Sequence, residues 1–384
     1  MAAAAGVAVG GARSAARRRV VIAGLGDSGV LTAIRLARHF DVVGISAAPG
    51  LVSGQELGLR LTRPREWARD YWIPFDRFRG LDRVRTVHGV LVGADLDRNS
   101  VTVRDAAGAE RAEPFDILVL STGVRNGFWR VPDLRSDTEV ARELRETNGR
   151  IGAAHHIAVI GGGAAAVGSA ANLARTWPEK RIALYFPRDR ALTAHHPRIW
   201  DRLRHTLTEL GVELHPGHRA DDPADAITTG PVRWRTGQPD TAADAVLWTV
   251  GRTTPNTGWL PAELLDEHGF VRTTPELRVP GHPGVFAIGD VAATDPLRGS
   301  ARNRADGLLA RNIRAEIAGR QLRRYRPPRR RWGSVLGPQP DGLDVFAPNG
   351  RPFHFPGWSI DRVLRPWITR WGIYRGVRAN APLD

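Results

Sequence analysis

Residues 20–29 read VVIAGLGDSG, an apolar run that leads directly into a glycine-rich loop. The same arrangement returns at residues 157–166, which read IAVIGGGAAA. In such a loop the first glycine makes a sharp turn, the second lets a pyrophosphate approach the backbone, and the third position lets helix and strand pack closely. Amides at the start of the following helix then bind the phosphates. Two copies predict a protein that holds two dinucleotides and passes electrons between them.

Each loop stands in the strand–loop–helix–strand context that this motif requires. After the first loop, apolar residues from Val30 onwards predict an amphipathic helix, and residues 41–45 (DVVGI) predict the second strand. After the second loop, Val167 continues a helix of the same kind, and residues 181–185 (RIALY) predict its second strand. The context favours two nucleotide-binding units over two coincidental glycine turns.

The repetition extends beyond the loops. Residues 116–123 (DILVLSTG) and 245–251 (AVLWTVG) each form an apolar strand that ends in a small residue and a glycine. Between each loop and this strand, clusters of turn residues separate β-rich runs. The sequence therefore predicts one type of α/β domain used twice.

A third signature lies at residues 284–290, which read GVFAIGD. In this order the motifs resemble those of the two-dinucleotide-binding-domain flavoproteins, the pyridine nucleotide–disulfide oxidoreductase superfamily. The resemblance covers about residues 19–320. It implies FAD at the first loop and NADH or NADPH at the second, with Asp290 at the ribityl and phosphate region of FAD.

The resemblance also implies the domain organisation. We expect an α/β fold with two Rossmann-like dinucleotide-binding domains, in which the NAD(P) domain interrupts the FAD domain, and a C-terminal extension with an amphipathic helix. The leader has small apolar residues before its arginines, the reverse of a secretory signal, which predicts a cytoplasmic protein. The predicted boundaries are a disordered leader at 1–18, the FAD domain at 19–145 and 273–326, the NAD(P)H domain at 146–272, and the extension at 327–384.

The resemblance assigns contacts to each cofactor and requires no catalytic side chain, because the cofactors supply the chemistry. No metal site is predicted, since the histidine pairs at 155–156 and 195–196 lack a surrounding set of ligands. The predicted FAD contacts are Gly24, Gly26, Ser28, Gly29, Ser46, Thr122, Gly123, Gly289 and Asp290. The predicted NAD(P)H contacts are Gly161, Gly163, Ala165, Ala166, Arg188, Arg190 and Gly251.

The sequence departs from the family pattern at the ends of the second strands and on the helix after the second loop. Ser46 stands near the end of the second strand, where an acidic residue usually binds the ribose. In the other unit, Arg188 and Arg190 would suit a 2′-phosphate and favour NADPH, whereas Asp189 would suit the ribose of NADH. Gly168 occupies the place of a glutamate that many relatives carry near the nicotinamide, so that contact is missing.

The chain contains no cysteine, which excludes disulfide-reductase chemistry and thiolate-bound iron–sulfur clusters. Electrons must therefore pass to a quinone, a carrier protein, dioxygen or a small organic substrate. The net charge of +15 favours an anionic partner, either a membrane surface, an acidic redox protein or nucleic acid. No nucleic-acid recognition motif is evident, so a specific nucleic-acid partner is not predicted.

Residues 357–375 predict an amphipathic helix, with Pro366 as a kink or as the start of a second helix. Tryptophans beside arginines at this spacing fit a helix lying in an anionic membrane interface. The alternatives are packing on the FAD domain or on a second subunit of a homodimer. No run approaches the roughly 20 apolar residues that span a bilayer. The apolar stripe comprises Ile360, Val363, Leu364, Trp367, Ile368, Trp371 and Tyr374.

The absence of cysteine and the pattern of this tail resemble the single-component quinone reductases, namely type II NADH dehydrogenases and the apoptosis-inducing-factor or ferroptosis-suppressor group. The expected reaction passes a hydride from NAD(P)H to FAD and then electrons to a quinone, with Gln55 or Glu56 as candidate hydrogen-bond partners of that quinone. The alternatives are a reductase of an acidic electron carrier of ferredoxin or rubredoxin type, and a biosynthetic flavin monooxygenase. The expected location is cytoplasmic, with peripheral attachment to the inner face of the membrane.

Overall fold

The computed structural model describes most of the chain in two α/β units joined by a C-terminal segment. The fold class is the one that the sequence predicts, whereas the domain boundaries remain predictions. The described residues are 17–54, 57–127, 129, 131–224, 226–250, 253–294, 296–298 and 305–379.

The first unit is built on a five-stranded parallel sheet. Alternate residues of its central strand enter different apolar cores, with Val20 and Ile22 on one face and Val21 and Ala23 on the other. Burial on both faces explains why this strand is apolar throughout. The spatial order of the strands is Val285–Ala287, Ile117–Leu120, Arg19–Ala23, Asp41–Ser46 and Val84–His88.

The second unit repeats this plan with a five-stranded sheet of its own. Its central strand also has two buried faces, formed by Ile157 and Val159 on one side and Ala158 and Ile160 on the other. The edge strand Ile227–Thr228 is antiparallel and the other four strands are parallel. The order is Glu213–His215, Arg181–Tyr185, His156–Ile160, Ala245–Trp248 and Ile227–Thr228.

The remaining strands form smaller antiparallel sheets. The pair that joins residues 124–125 to 254–255 links the chain after the first parallel sheet to the chain after the second. These sheets are Val90–Asp95, Ser100–Arg104 and Glu110–Pro114; Gly50–Val52 with Trp72–Pro74; Val124–Arg125 with Thr254–Pro255; and Gly342–Phe346 with Pro352–Pro356.

Seven α-helices precede the C-terminal helix in the described part of the chain. The first and fifth begin directly after the two glycine loops, as the motif requires. The fourth begins with a capping box in which Ser136 and Glu139 satisfy each other's backbone amides. The helices are α1 Asp27–Leu36, α2 Leu57–Thr62, α3 Pro64–Tyr71, α4 Asp137–Ala153, α5 Ala164–Thr176, α6 Pro197–Glu209 and α7 Asp306–Ile317.

The C-terminal helix, residues 357–373, has a geometry that the sequence does not predict. A short α-helical turn, Gly357–Ser359, continues as a π-helix over Ile360–Ile373, with Pro366 inside it. The wider π turn replaces the α-helical turn expected from the apolar spacing. The predicted stripe is consequently divided, because Ile360 and Tyr374 are buried whereas Trp367 and Trp371 are exposed.

The two units meet where α2 crosses α5. A Cβ atom added to Gly58 of α2 would lie 2.6 Å from the carbonyl oxygen of Gly168 and 2.7 Å from the side-chain amide nitrogen of Asn172, both in α5. A Cβ atom added to Gly168 would in turn overlap the carbonyl oxygen of Val335. Glycine at both positions therefore lets two helices and the C-terminal segment pack backbone against backbone.

We expect Gly58→Ala to lower the free energy of unfolding by about 1–3 kcal/mol, because the new methyl group forces α2 away from α5. Chemical denaturation of the purified protein measures the change. Gly149→Ala in α4 is the matched control, since Gly149 is exposed and has no heavy atom within 4 Å of an added Cβ. That substitution should leave stability unchanged or raise it by about 0.5–1 kcal/mol. Equal stability of the two variants would contradict the close crossing.

Candidate functional site

A cavity of about 1360 Å³ lies between the two glycine loops. Its walls include residues 24–28 of the first loop and residues 163–165 at the start of α5. Pockets for a single small ligand usually measure about 300–1,000 Å³. The cavity therefore has room for more than one ligand and connects both predicted nucleotide sites.

The three glycines of the first loop have the three predicted roles. Gly24 has a φ of +103°, and its N–H donates to the carbonyl of Ile45 at 3.0 Å, which makes the turn. A Cβ atom added to Gly29 would overlap the carbonyl oxygen of Gly24, so this position permits close packing. Nothing lies within 4 Å of a Cβ atom added to Gly26, which leaves the backbone open to a phosphate.

The second loop reproduces this geometry. Gly161 has a φ of +145°, and its N–H donates to the carbonyl of Tyr185 at 2.9 Å. Gly163 is open, with no atom within 4 Å of an added Cβ. Ala166 is fully buried in the core of the second unit, which fits the close-packing role of the third position rather than ligand contact.

Two hydroxyl groups that the sequence analysis missed hold the loops in place. Ser121 Oγ donates to the carbonyl of Gly24 at 2.7 Å. Thr249 Oγ1 donates to the carbonyl of Ile160, also at 2.7 Å. Both follow the strand that neighbours the loop, and the small residue at each of these strand ends was the signal that could have identified them.

The third signature lies against the first loop. Gly289 has a φ of +81°, and a Cβ atom added to it would lie 3.1 Å from Ser28 Oγ. Asp290 lines the cavity beside it. Two motifs separated by most of the chain are therefore brought together on one wall.

Ser46, Thr122 and Gly123 also line the cavity. Ser46 Oγ accepts a hydrogen bond from the N–H of Ala48 at 3.2 Å, so it orders its own loop. The hydroxyl of Thr122 donates to the carbonyl of Asn256 at 2.8 Å, and the Asn256 amide donates to the carbonyl of Thr122 at 3.0 Å. This reciprocal pair ties the first unit to the segment that follows the second sheet.

The predicted NAD(P)H contacts are only partly brought together. Gly163 and Ala165 line the cavity, whereas Arg188 is exposed and neither it nor Arg190 belongs to the cavity wall. Gly251 lies outside the described residues, as do the quinone candidates Gln55 and Glu56.

A wall of basic residue types near the second loop was not predicted. His195 and Arg330 both line the cavity. Burial, and after it the charges of Arg330 and Arg190, lowers the pKa of His195. His195 Nδ1 has no hydrogen-bond partner among the described residues. No group of three or more potential metal ligands occurs within the described ranges.

The C-terminal segment forms another wall of the cavity, and no sequence motif predicts it. Residues 330–336 line the cavity beside α5. The Asn172 amide donates to the carbonyl of Leu336 at 2.9 Å, and the Arg63 guanidinium donates to that of Pro338 at 3.1 Å. Because Val335 packs on Gly168, a side chain at position 168 has no room. A glutamate at this position would therefore not be accommodated in this structure.

An aromatic region lies on the side of the first unit. Trp67, Trp72 and Trp129 line the cavity together with Arg60. Arg60 is buried, pairs with Glu143 at 2.8 Å and stacks over the Trp67 ring at 5.2 Å from its centroid. The three tryptophan side chains are almost fully buried and form an apolar boundary of the cavity.

The C-terminal helix displays an exposed apolar surface, which we call the C-terminal patch. Its two most exposed side chains are Trp367 and Trp358, at 67% and 64%. The helix is held to the first unit by Arg365, which pairs with Asp70 at 2.8 Å. None of the helices in the described ranges has the length and apolarity needed to cross a membrane. The patch comprises Trp358, Val363, Trp367, Ile368 and Trp371.

The sequence matches the family described as "Pyridine nucleotide-disulphide oxidoreductase" over residues 18–308. It is 26% identical over 252 residues to Oxidoreductase OXR1 of Ajellomyces capsulatus, covering 62% of this chain and 54% of that protein. It is 24% identical over 324 residues to ferroptosis suppressor protein 1 of Xenopus tropicalis, covering 80% and 83%. It is 31% identical over 129 residues to type II NADH:quinone oxidoreductase Ndh of Mycobacterium tuberculosis, covering 32% and 27%. The matched region thus spans about half of the first relative and about a quarter of the third.

A solved structure shares the fold over almost the whole chain. The sulfide:quinone oxidoreductase of Aquifex aeolicus superposes with a TM-score of 0.69 at 14% identity. The superposition covers 95% of this chain and 93% of that one. At this identity the likeness establishes the architecture alone.

Proposed function

The chain belongs to the pyridine nucleotide-disulphide oxidoreductase family, and from this membership we propose that it is an NAD(P)H:quinone reductase. Membership makes it an FAD-dependent enzyme that oxidises NADH or NADPH. The acceptor is the proposed part. One observation carries it: a single cavity joins both glycine loops to a tryptophan-lined wall in a chain without cysteine.

We assign FAD to the first loop. Gly26 is open to a phosphate, the amides that begin α1 face the same cavity, and Ser28 and Asp290 lie on one wall of it. A Cβ atom at position 24 would overlap the backbone of Ser121, so only glycine fits there. A glycine at this turn is what a dinucleotide-binding loop requires. We retain residues 19–145 and 273–326 as the FAD domain and 146–272 as the NAD(P)H domain.

We assign the nicotinamide nucleotide to the second loop, with NADPH as the preferred donor. Gly163 and the amides that begin α5 would bind its pyrophosphate. Arg188 and Arg190 follow the strand Arg181–Tyr185, where a 2′-phosphate would be recognised. Arg330 adds positive charge to the cavity wall nearby.

The overall reaction consumes NAD(P)H, one proton and a quinone, and yields NAD(P)⁺ and the quinol. When bound, FAD supplies the chemistry by taking a hydride from the nicotinamide and giving two electrons to the acceptor. The protein's own groups bind, orient and shield the reactants.

The quinone assignment rests on the aromatic wall and on the absence of cysteine from the chain. Trp67, Trp72 and Trp129 give the cavity an apolar aromatic boundary, against which a flat ring would pack. No thiol is available to relay electrons to a disulfide. The quinone in the name of the mycobacterial relative supports the same acceptor class.

We further propose that the C-terminal patch docks on an anionic membrane surface, from which a lipid-soluble quinone would enter. The helix that carries these exposed tryptophans also carries the exposed Arg362. Apolar side chains flanked by arginines suit the headgroup region of a bilayer. Attachment would be peripheral, on the cytoplasmic face.

Anaerobic reduction followed by an acceptor panel tests the proposed function. We expect NADPH to bleach the flavin faster than NADH, and a short-chain quinone to reoxidise it faster than dioxygen. If an acidic ferredoxin were instead the fastest acceptor, with a rate that falls steeply as salt rises, the enzyme would be a carrier-protein reductase. Failure of both nucleotides to bleach the flavin would contradict the assignment of the second loop.

Asp290→Ala should weaken FAD binding at least roughly tenfold, because an interaction with a ribityl or phosphate group is lost. The flavin absorbance per mole of purified protein measures this. Asp95→Ala is the control, since Asp95 lies on the exposed hairpin of the three-stranded sheet, where it accepts from the N–H of Arg98. Full retention of FAD by the Asp290 variant would sink the assignment of this motif.

Replacing both Trp367 and Trp371 with alanine should reduce binding to anionic vesicles by more than roughly tenfold, because two large apolar side chains no longer enter the interface. Vesicle flotation with phosphatidylglycerol-containing liposomes measures binding. The double variant Arg98→Ala/Arg111→Ala removes two exposed positive charges elsewhere and should bind like the parent. If both double variants floated equally well, the C-terminal patch would not be the membrane contact.

A further inference from the structure

The C-terminal segment makes direct contact with the first glycine loop through one hydroxyl group. Tyr374 is fully buried, and its hydroxyl donates to Asp27 Oδ1 at 2.5 Å. Ser53 Oγ lies 2.8 Å from the same hydroxyl oxygen. A phenol has one hydrogen to donate, so the Ser53 hydroxyl donates to Tyr374. The side chain of Tyr374 is thus fixed by hydrogen bonds on both sides.

Asp27 stands where an anion is to bind. It is the first residue of α1, it follows the open Gly26, and it lines the cavity. A dinucleotide brings a negatively charged pyrophosphate to this helix N-terminus. A carboxylate stabilises a helix N-terminus, but it repels a second anion at the same place. The orientation of the Asp27 carboxylate therefore affects how well the loop holds its ligand.

The C-terminal segment fixes the position of the Tyr374 hydroxyl. The Tyr374 ring packs edge-on against Phe78, with ring centroids 5.2 Å apart. The backbone of residues 376–378 pairs with residues 77–79 through hydrogen bonds of 3.1 and 2.9 Å. An ion pair of 2.7 Å between Arg378 and Asp82 closes the attachment. These contacts lie just beyond the C-terminal helix, so the hydroxyl stays in place only while this segment is seated.

We propose that Tyr374 is a positioning residue for FAD: it holds the Asp27 carboxylate towards the C-terminal segment and away from the pyrophosphate, and so couples the seating of that segment to FAD retention. This inference rests on the assignment of FAD to the first loop. The coupling is reciprocal by thermodynamic necessity, so FAD in turn stabilises the seated C-terminal segment.

A double-mutant cycle tests the proposal, with FAD affinity read by titration of the apoprotein and flavin fluorescence. Tyr374→Phe keeps the ring and removes the hydroxyl, and we expect its Kd for FAD to rise roughly tenfold. Asp27→Asn removes the charge and should bind FAD at least as tightly as the parent. The double variant should bind like Asp27→Asn, because a neutral side chain needs no restraint. Tyr185→Phe, in the second unit, is the control and should leave the Kd unchanged.

Two results would overturn the proposal: a parental Kd in Tyr374→Phe, or a double variant as weak as Tyr374→Phe alone. The Asp290→Ala variant separates these failures from an incorrect FAD site. If the first loop holds FAD and only the proposal fails, Asp290→Ala weakens binding while Tyr374→Phe does not. If the loop assignment is incorrect, neither substitution changes the Kd.

Hydrogen exchange of the backbone provides a readout in the other direction. We expect saturating FAD to slow amide exchange of residues 376–378 in the parent, and to slow it less in Tyr374→Phe. Exchange that is unaffected by FAD in the parent would refute the coupling.

Discussion

The backbone approach of α2 to α5 is the constraint on which the rest of the site depends. Gly58 and Gly168 let the two helices approach closely, with the Asn172 side-chain amide against Gly58 and the Val335 carbonyl against Gly168. All three residues of this contact line the cavity that joins the glycine loops. The contact also removes the room for a side chain at position 168, so one packing requirement determines a feature of the ligand site.

The parts of the fold that depend on local sequence could be predicted. Both loops, their helices and the central strands follow from glycine spacing and apolar runs of a few residues. Ser121, His195 and Arg330 were missed, because their roles depend on residues brought together from distant parts of the chain. The C-terminal helix illustrates the limit of periodicity. The spacing of apolar residues predicts an apolar face but does not indicate which part of that face the protein itself covers.

The two nucleotide units are similar in backbone and different in surroundings. Both loops turn at a glycine of positive φ, and both are held by a hydroxyl at a neighbouring strand end. The first is completed by Gly289 and Asp290 and contacted by Tyr374, whereas the second is bordered by His195 and the wall from the C-terminal segment. Under the proposed assignment, a repeated framework supports a retained cofactor on one side and an exchanging one on the other, through segments that are not repeated.

The strand Val285–Ala287 adds to the first sheet only after the whole second unit has been made. During synthesis the neighbouring strand Ile117–Leu120 therefore has an unpaired edge, while the second unit already has all of its strands. The order of completion on the ribosome is the reverse of the order in sequence, because domains fold as units when their last element emerges. The first unit to begin is the last to close, and until then its sheet edge stays open to pairing with another strand.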